Sequence, residues 1–140
     1  MKINKNFILV LFIMLGCNLV AQTAEQPSGS GTEPDPYLVA NLENLYWMTE
    51  NSGEWFKYYI QTSDIDASST STWDNGQGFT PLGNNSIKFT GSYDGGGYTI
   101  NGLTINRPST TYIGLFGYTL GSTIKDLGVV NVNITGGSRT

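Results

Sequence analysis

The sequence contains no histidine, a single cysteine and few charged residues. Without histidine, the chain cannot build a Ser-His-Asp or Cys-His catalytic set, a histidine-ligated zinc site or an ordinary imidazole acid or base. Because Cys17 has no second cysteine to pair with, no intramolecular disulfide can form even in an oxidising compartment. Carboxylates remain as possible acid, base or metal-binding groups, and after weighing them below we expect no catalytic residue, metal ligand or cofactor site within these 140 residues.

The first 21 residues have the composition of a secretory signal peptide. Two lysines precede an apolar run over residues 7–15, and small residues follow it. The run is too short for a stable membrane span, so we predict cleavage after Ala21 and no transmembrane span in the mature chain. An alternative treats Cys17 as a lipidated cysteine, but the bulky Leu15 and the apolar residues after Cys17 disfavour it. Both alternatives predict an extracellular or cell-surface protein.

The mature chain is predicted to be acidic. Removing residues 1–21 takes away two of the 7 basic residues, which leaves 5 against 11 acidic residues and a net charge of −6. Scattered lysines on an acidic background disfavour nucleic acid and anionic membrane surfaces as partners. We expect a glycan or an extracellular host protein instead.

The stretch over residues 89–134 contains an internal repeat. The sequence T-I-N-G-L-T-I-N resembles T-I-K-D-L-G-V-V, which lies about 24 positions later. Within each unit, apolar residues alternate with Thr, Gly or Asn, which is typical of a strand with one buried face. No helical segment separates these strands, so the repeat favours a parallel β-helix over βαβ units. The pairs predicted to stack are Ile100 with Ile124, Leu103 with Leu127, and Ile105 with Val129.

Four motifs in this stretch resemble the GLUG-type repeats of bacterial surface and secreted proteins. They are Phe89-Thr-Gly-Ser-Tyr-Asp-Gly95, Ile100-Asn-Gly-Leu103, Gly114-Leu-Phe-Gly117 and Ile124-Lys-Asp-Leu127. Such repeats occur in adhesin-like proteins and beside the protease part of IgA-cleaving metallopeptidases. The resemblance implies a right-handed β-helix outside the cytoplasm. The predicted repeat core comprises Phe89, Ile100, Leu103, Ile105, Leu115, Phe116, Ile124, Leu127 and Val129.

The predicted fold is all-β, a right-handed parallel β-helix fragment with an N-terminal capping α-helix. Residues 22–34 are expected to form a flexible leader, since they offer little that can be buried. Residues 35–66 would hold the cap helix, over 41–51, and a first degenerate coil. Residues 67–86 would form an inserted loop and turn, and residues 87–140 the GLUG-like repeats, truncated at the C-terminus.

Three residues are candidates for ligand binding. Trp73 lies in the Ser-, Thr- and Gly-rich insertion and would offer a sugar-stacking or protein contact. Asp64 and Asp66 are predicted to point to one side of a strand, where they would bind a cation or act as a catalytic pair. We favour a solvating role for this pair. The run from Asp94 to Gly97 is better explained by a turn that needs positive φ than by a calcium or phosphate site.

Two functions follow from these patterns. The first is an exported, non-catalytic repeat module for adhesion or for carbohydrate or protein binding. The alternative is the N-terminal β-helical part of a larger secreted enzyme, either a metallopeptidase or a polysaccharide-degrading enzyme, whose active site lies beyond residue 140.

Overall fold

The computed structural model describes residues 22–137. The predicted signal peptide and Cys17 therefore lie outside the described residues, as do residues 138–140. The regular elements are short and mostly strands: β1 (Tyr37–Val39), α1 (Leu42–Glu50), a first 3-10 helix (Ser52–Glu54), β2 (Tyr58–Gln61), β3 (Ile65–Asp66), a second 3-10 helix (Ser68–Gly76), β4 (Ser92–Asp94), β5 (Thr99–Asn101), β6 (Thr104–Arg107), β7 (Thr123–Lys125), β8 (Gly128–Val130) and β9 (Asn133–Gly136).

The strands of the described chain form three parallel sheets. The first sheet has the order β1-β2-β4-β7, the second β3-β5-β8 and the third β6-β9. Three consecutive strands, β4, β5 and β6, each belong to a different sheet, and β7, β8 and β9 then visit the same sheets in the same order. The expectation of strand-rich, parallel architecture is confirmed at this level.

The predicted stacking register is wrong. In the structure Ile100 pairs with Val129, not with Ile124, and Ile105 pairs with Ile134, not with Val129. Ile124 lies instead beside Tyr93 in the first sheet. Between strands β4, β5, β6 and strands β7, β8, β9, the pairing offset is therefore 29 residues in the second and third sheets and 31 in the first, compared with the expected 24.

The error has a simple physical cause. Ile124, Val129 and Ile134 are five residues apart, as are Ile100 and Ile105. If the alignment of the second repeat with the first is shifted by five residues, apolar residues still lie beside apolar residues. The shifted alignment nevertheless pairs each strand with a strand of the neighbouring sheet. Leu103 and Leu127 are displaced for the same reason, because Leu103 lies beside the start of β9 and Leu127 immediately precedes β8.

The core lies between the three sheets. Tyr93, Phe89, Ile100, Leu103 and Ile105 are fully buried, and Leu115 is almost fully buried. Removing a side chain of this size from water contributes about 1.5–3 kcal/mol. Phe116 and Leu127 are partly buried against this cluster.

Two members of the predicted repeat core are not buried. Ile124 is 38% and Val129 37% exposed, and Ile134 on β9 is 42% exposed. These residues lie on β7, β8 and β9, which have strand neighbours on one side alone in the described chain. Each of these strands is covered on one side by the preceding strand of its sheet, β4, β5 or β6, which together form the preceding layer. No strand of the described chain lies on the other side.

The predicted N-terminal helix is confirmed as α1. The Asn41 side chain accepts a hydrogen bond from the Asn44 backbone N–H at 2.9 Å, which caps the first turn. Leu45 and Met48 are fully buried against the core. The indole N–H of Trp55 donates to the Met48 carbonyl at 2.7 Å, so the end of α1 is fixed to the chain that enters β2.

Residues 22–34 are held against the fold rather than forming the expected flexible leader. The Leu38 N–H donates to the Ser28 carbonyl at 2.8 Å, and the Tyr58 N–H donates to the Gly31 carbonyl at 3.1 Å. Glu25 contributes a third bond, from its N–H to a carbonyl in α1. Backbone hydrogen bonds replace the apolar contacts that the sequence of this segment lacks.

The insertion at 67–86 is also more than a surface loop. Phe79 and Leu82 are fully buried, and the Phe79 N–H donates to the Thr104 carbonyl at 2.9 Å. Thr70, which is fully buried, accepts from the Thr104 N–H at 2.9 Å and donates to the Ala67 carbonyl at 2.6 Å. The insertion thus supplies side chains to the core and hydrogen bonds to β6.

The Thr70 hydroxyl generates a stability prediction. Replacing Thr70 by Val keeps the side-chain shape but leaves the part-buried Thr104 N–H without its acceptor, which should lower the free energy of unfolding by about 1–3 kcal/mol. Urea unfolding followed by circular dichroism measures this change. Thr70→Ser keeps the hydroxyl and should lose less; equal stability of the wild type and the Val variant would contradict the assignment.

Candidate functional site

Trp73, the candidate identified from the sequence, is half-buried and lies at a kink within the 3-10 segment Ser68–Gly76, where its own backbone is not helical. Its ring stacks on Phe79, with centroids 6.4 Å apart and planes 28° from parallel. The Tyr46 ring of α1 meets it edge-on, with centroids 5.1 Å apart. Trp73 is therefore fixed between the core and the helix, and it does not project as an isolated platform.

A small pocket opens beside Trp73. Its volume is about 220 Å³, and its wall combines aromatic, carboxylate, amide and hydroxyl groups. We call it the Trp73 pocket; it is lined by Gln22, Tyr46, Glu50, Trp73, Asp74, Gly78 and Thr80. Tyr46 and Glu50 are one helical turn apart on α1, and the second 3-10 helix with the residues after it supplies the opposite wall.

The backbone on that wall has an unusual conformation. Asp74 and Asn75 have φ values of 48° and 53°, the left-handed region that is costly for residues other than glycine. Gly78 has a φ of 79°, and a Cβ there would lie 2.2 Å from the Thr104 carbonyl oxygen. Residues held in such conformations cluster at ligand sites, and they persist only where the surrounding contacts fix them.

Arg107 of β6 supplies those contacts. Its guanidinium forms an ion pair with Asp74 at 3.0 Å, and its side chain is only 14% exposed. It also donates to the Gln77 side chain at 3.2 Å, to the Gly78 carbonyl at 3.1 Å and to the Thr80 hydroxyl at 3.1 Å. A planar group with five N–H donors suits such a set of acceptors, so Arg107 fixes the pocket wall to the sheet.

Two carboxylates, Glu50 and Asp74, line the pocket, and Asp74 is paired with Arg107. Burial raises the pKa of the Tyr46 hydroxyl above its usual value, and the neighbouring carboxylates of Glu50 and Asp74 raise this pKa further. None of the lining residues is basic. Arg107 is not part of the lining, and its guanidinium is paired with Asp74. An anionic group would therefore be repelled, whereas neutral donors would find carboxylate acceptors.

Asp64 and Asp66 lie in a different place. Asp64 accepts from the Thr99 N–H at 2.8 Å and from the Thr99 hydroxyl at 3.0 Å. Asp66 accepts from the Ser68 N–H at 2.9 Å, and hydrogen bonding by Ser68 lowers the pKa of the Asp66 carboxyl. The two acids line an open groove with Asn101 and do not reach the Trp73 pocket.

These contacts give Asp64 and Asp66 structural partners. Within residues 22–137 there is no group of three or more Asp, Glu, Cys or His side chains arranged to hold a metal ion. On the same groove, the Asn131 side chain donates to the Asn101 side chain at 2.8 Å, which continues the polar row across the second sheet.

The glycine-rich run forms the expected turn. Asp94 accepts from the Gly96 N–H at 2.9 Å, and Gly96 and Gly97 both have positive φ. A Cβ on Gly95 would lie 2.4 Å from the Asp126 carbonyl oxygen. Asp94 also pairs with Lys125 at 3.0 Å; the Gly96 hydrogen bond and this lysine lower the pKa of its carboxyl.

The sequence indicates Trp73 as a candidate, but the structure adds Tyr46, Glu50 and Arg107, which were not among the candidates. The spacing of Tyr46 and Glu50 by four residues on a predicted helix was the available signal, because it places both side chains on one face. No local pattern connects Arg107 with Asp74, which lies 33 residues away.

Comparison with known proteins finds relatives that are much longer than this chain. Halomucin of Haloquadratum walsbyi is 37% identical over 117 residues, which cover 79% of this chain and 1% of halomucin. A protein of Evansella cellulosilytica named as a Gly-rich membrane protein is 33% identical over 135 residues, which cover 93% of this chain and 15% of that protein. The chain thus spans a small part of the relatives it matches.

No family model matches the sequence, and no solved structure matches it. Among the described residues, no helix has the length and apolar character that crossing a membrane requires.

The role of Arg107 can be tested by amide exchange. Arg107→Met removes the ion pair to Asp74 and the hydrogen bonds to the following residues, so the amides of Gln77 and Gly78 should exchange at least about tenfold faster. Hydrogen–deuterium exchange with mass spectrometry measures the change. Lys125→Met removes the exposed pair with Asp94 and should leave these amides unchanged. Unchanged exchange in the Arg107 variant would show that the wall is held by other contacts.

Proposed function

We propose that this chain is an exported repeat module, displayed on the cell surface or secreted, that binds a glycan or an extracellular protein without catalysis. The names of the relatives support a surface or membrane-associated setting, since one is a halomucin and the other a Gly-rich membrane protein. The observation that carries the binding function is the preformed Trp73 pocket, with its aromatic and carboxylate walls.

The scaffold of this module is a right-handed parallel β-helix. The order in which β4 to β9 visit the three sheets supports this proposal, because each turn of the chain adds one strand to each sheet. Parallel strands joined by crossovers within one sheet are right-handed in nearly all proteins. The offsets of 29 to 31 residues correspond to one turn of such a coil.

The GLUG-type resemblance is part of the proposal, and the packing of its central motif supports it. Phe116 contacts the rings of Phe89 and Tyr93 edge-on, with centroids 4.8 Å and 5.4 Å away. Gly117 has no room for a side chain, because a Cβ would lie 2.2 Å from the Tyr112 carbonyl oxygen. The Gly114–Gly117 run therefore needs a large side chain at Phe116 and no side chain at Gly117.

The last described layer, which consists of β7, β8 and β9, fits a module that is part of a longer repeat protein. The exposed Ile124, Val129 and Ile134 occupy the positions that are fully buried in the preceding layer at Tyr93, Ile100 and Ile105. A further layer with the same alternation would cover them. The much greater length of both relatives agrees with this proposal.

Export can be tested directly. The full chain with a C-terminal epitope, produced in a bacterial host, should be recovered outside the cytoplasm in a form shortened by about 21 residues, as a small-residue cleavage site predicts. Fractionation and mass spectrometry of the mature N-terminus provide the measurement.

A variant lacking residues 2–21 is the control and should remain in the cytoplasm. Cytoplasmic retention of the full chain, with its N-terminus intact, would contradict the proposed export.

A further inference from the structure

We propose that the Trp73 pocket binds a single neutral sugar residue of a glycan. The inference rests on the proposed binding function and specifies its ligand. Trp73 and Tyr46 line the pocket and contact each other with their ring planes at 61°, and the buried Phe79 stacks on Trp73 from the core side. Aromatic rings of this kind pack against the C–H faces of a sugar ring, which are its apolar surfaces.

The polar groups of the pocket suit sugar hydroxyls. Glu50 contributes a carboxylate on one wall, and Asp74 contributes a second on the other, where Arg107 holds its Oδ2 oxygen at 3.0 Å. Gln22 adds an amide and Thr80 a hydroxyl. Each sugar hydroxyl both donates and accepts, so a wall with carboxylate, amide and hydroxyl groups can satisfy several of them at once.

The charge of the pocket selects among sugars. Glu50 and Asp74 are both acidic, and none of the lining residues is basic. Uronic acids, sialic acids and sulfated sugars would place an anion against the Glu50 carboxylate, and the nearby cation Arg107 is already paired with Asp74. The pocket is therefore suited to a neutral sugar.

The size of the pocket limits the ligand to one ring. Its volume of about 220 Å³ lies below the range of about 300–1,000 Å³ that holds drug-sized molecules. The wall is also preformed, because the left-handed residues Asp74 and Asn75 are fixed through Arg107. A preformed pocket loses little conformational entropy on binding, which favours recognition of a small group.

Binding should be measured with the mature chain, residues 22–140, by isothermal titration calorimetry and by NMR shifts. The probes are methyl glycosides and short neutral oligosaccharides of glucose, galactose and mannose. Matched glucuronic and galacturonic acid oligomers test the charge selection, and choline tests whether the pocket instead binds an ammonium group. We expect binding of at least one neutral sugar and none of the acidic oligomers.

Variants locate the binding. Trp73→Ala should weaken neutral-sugar binding at least about tenfold, and Glu50→Gln should weaken it several-fold, since each removes one contact. Phe56→Ala is the matched control, because Phe56 is an aromatic residue that is 59% exposed and lies outside the pocket. Its affinity should equal that of the wild type. Circular dichroism verifies folding; if Trp73→Ala unfolds, Glu50→Gln and Trp73→Phe decide the test.

Three results would overturn the inference. These are preference for acidic sugars, binding of choline without any neutral sugar, and sugar binding that the Trp73 and Glu50 variants do not weaken. Absence of neutral-sugar binding together with retained binding to an extracellular protein would reject the sugar ligand but leave the proposed binding function intact. Failure to bind glycans and proteins alike would reject both.

Discussion

The parallel register between successive layers is the constraint on which the rest of this structure depends. It places Tyr59 beside Tyr93, where the two fully buried rings stack with centroids 6.4 Å apart. Beside them, the buried Gln61 side chain accepts from the Tyr93 hydroxyl at 3.1 Å and donates to the Thr99 carbonyl at 3.1 Å. Burial raises the pKa of both tyrosines, so they stay neutral and add no buried charge. A shift in register would separate these partners and leave polar groups unpaired in the core.

The Trp73 pocket lies beside this scaffold. The long segment between β3 and β4 leaves the sheets after Asp66 and brings Trp73 against Tyr46 of α1. Arg107, the last residue of β6, holds this segment against the sheet through its ion pair with Asp74. The pocket is thus formed by an insertion on a regular scaffold, the kind of arrangement in which loops often carry recognition while the sheets carry stability.

How far the sequence predicts this structure differs from feature to feature. Alternating apolar residues predict the strands, and Asn41 with the helical spacing of Leu45 and Met48 predicts α1 and its cap. The register was not predictable, because a spacing of five residues between apolar positions gives two alignments of equal apolar quality. Arg107 and its partners were also out of reach, since their contacts join residues about 30 positions apart through side chains with no periodic pattern.

The register can be measured directly by disulfide trapping in a chain of residues 22–140, which lacks Cys17. Asn101 and Val130 face each other across β5 and β8 on the exposed surface, at a separation that a disulfide can span. We expect Asn101→Cys with Val130→Cys to form an intramolecular disulfide rapidly under mild oxidation, and Asn101→Cys with Lys125→Cys not to do so. Rapid trapping of the 101–125 pair without the 101–130 pair would restore the 24-residue register and contradict the architecture described above.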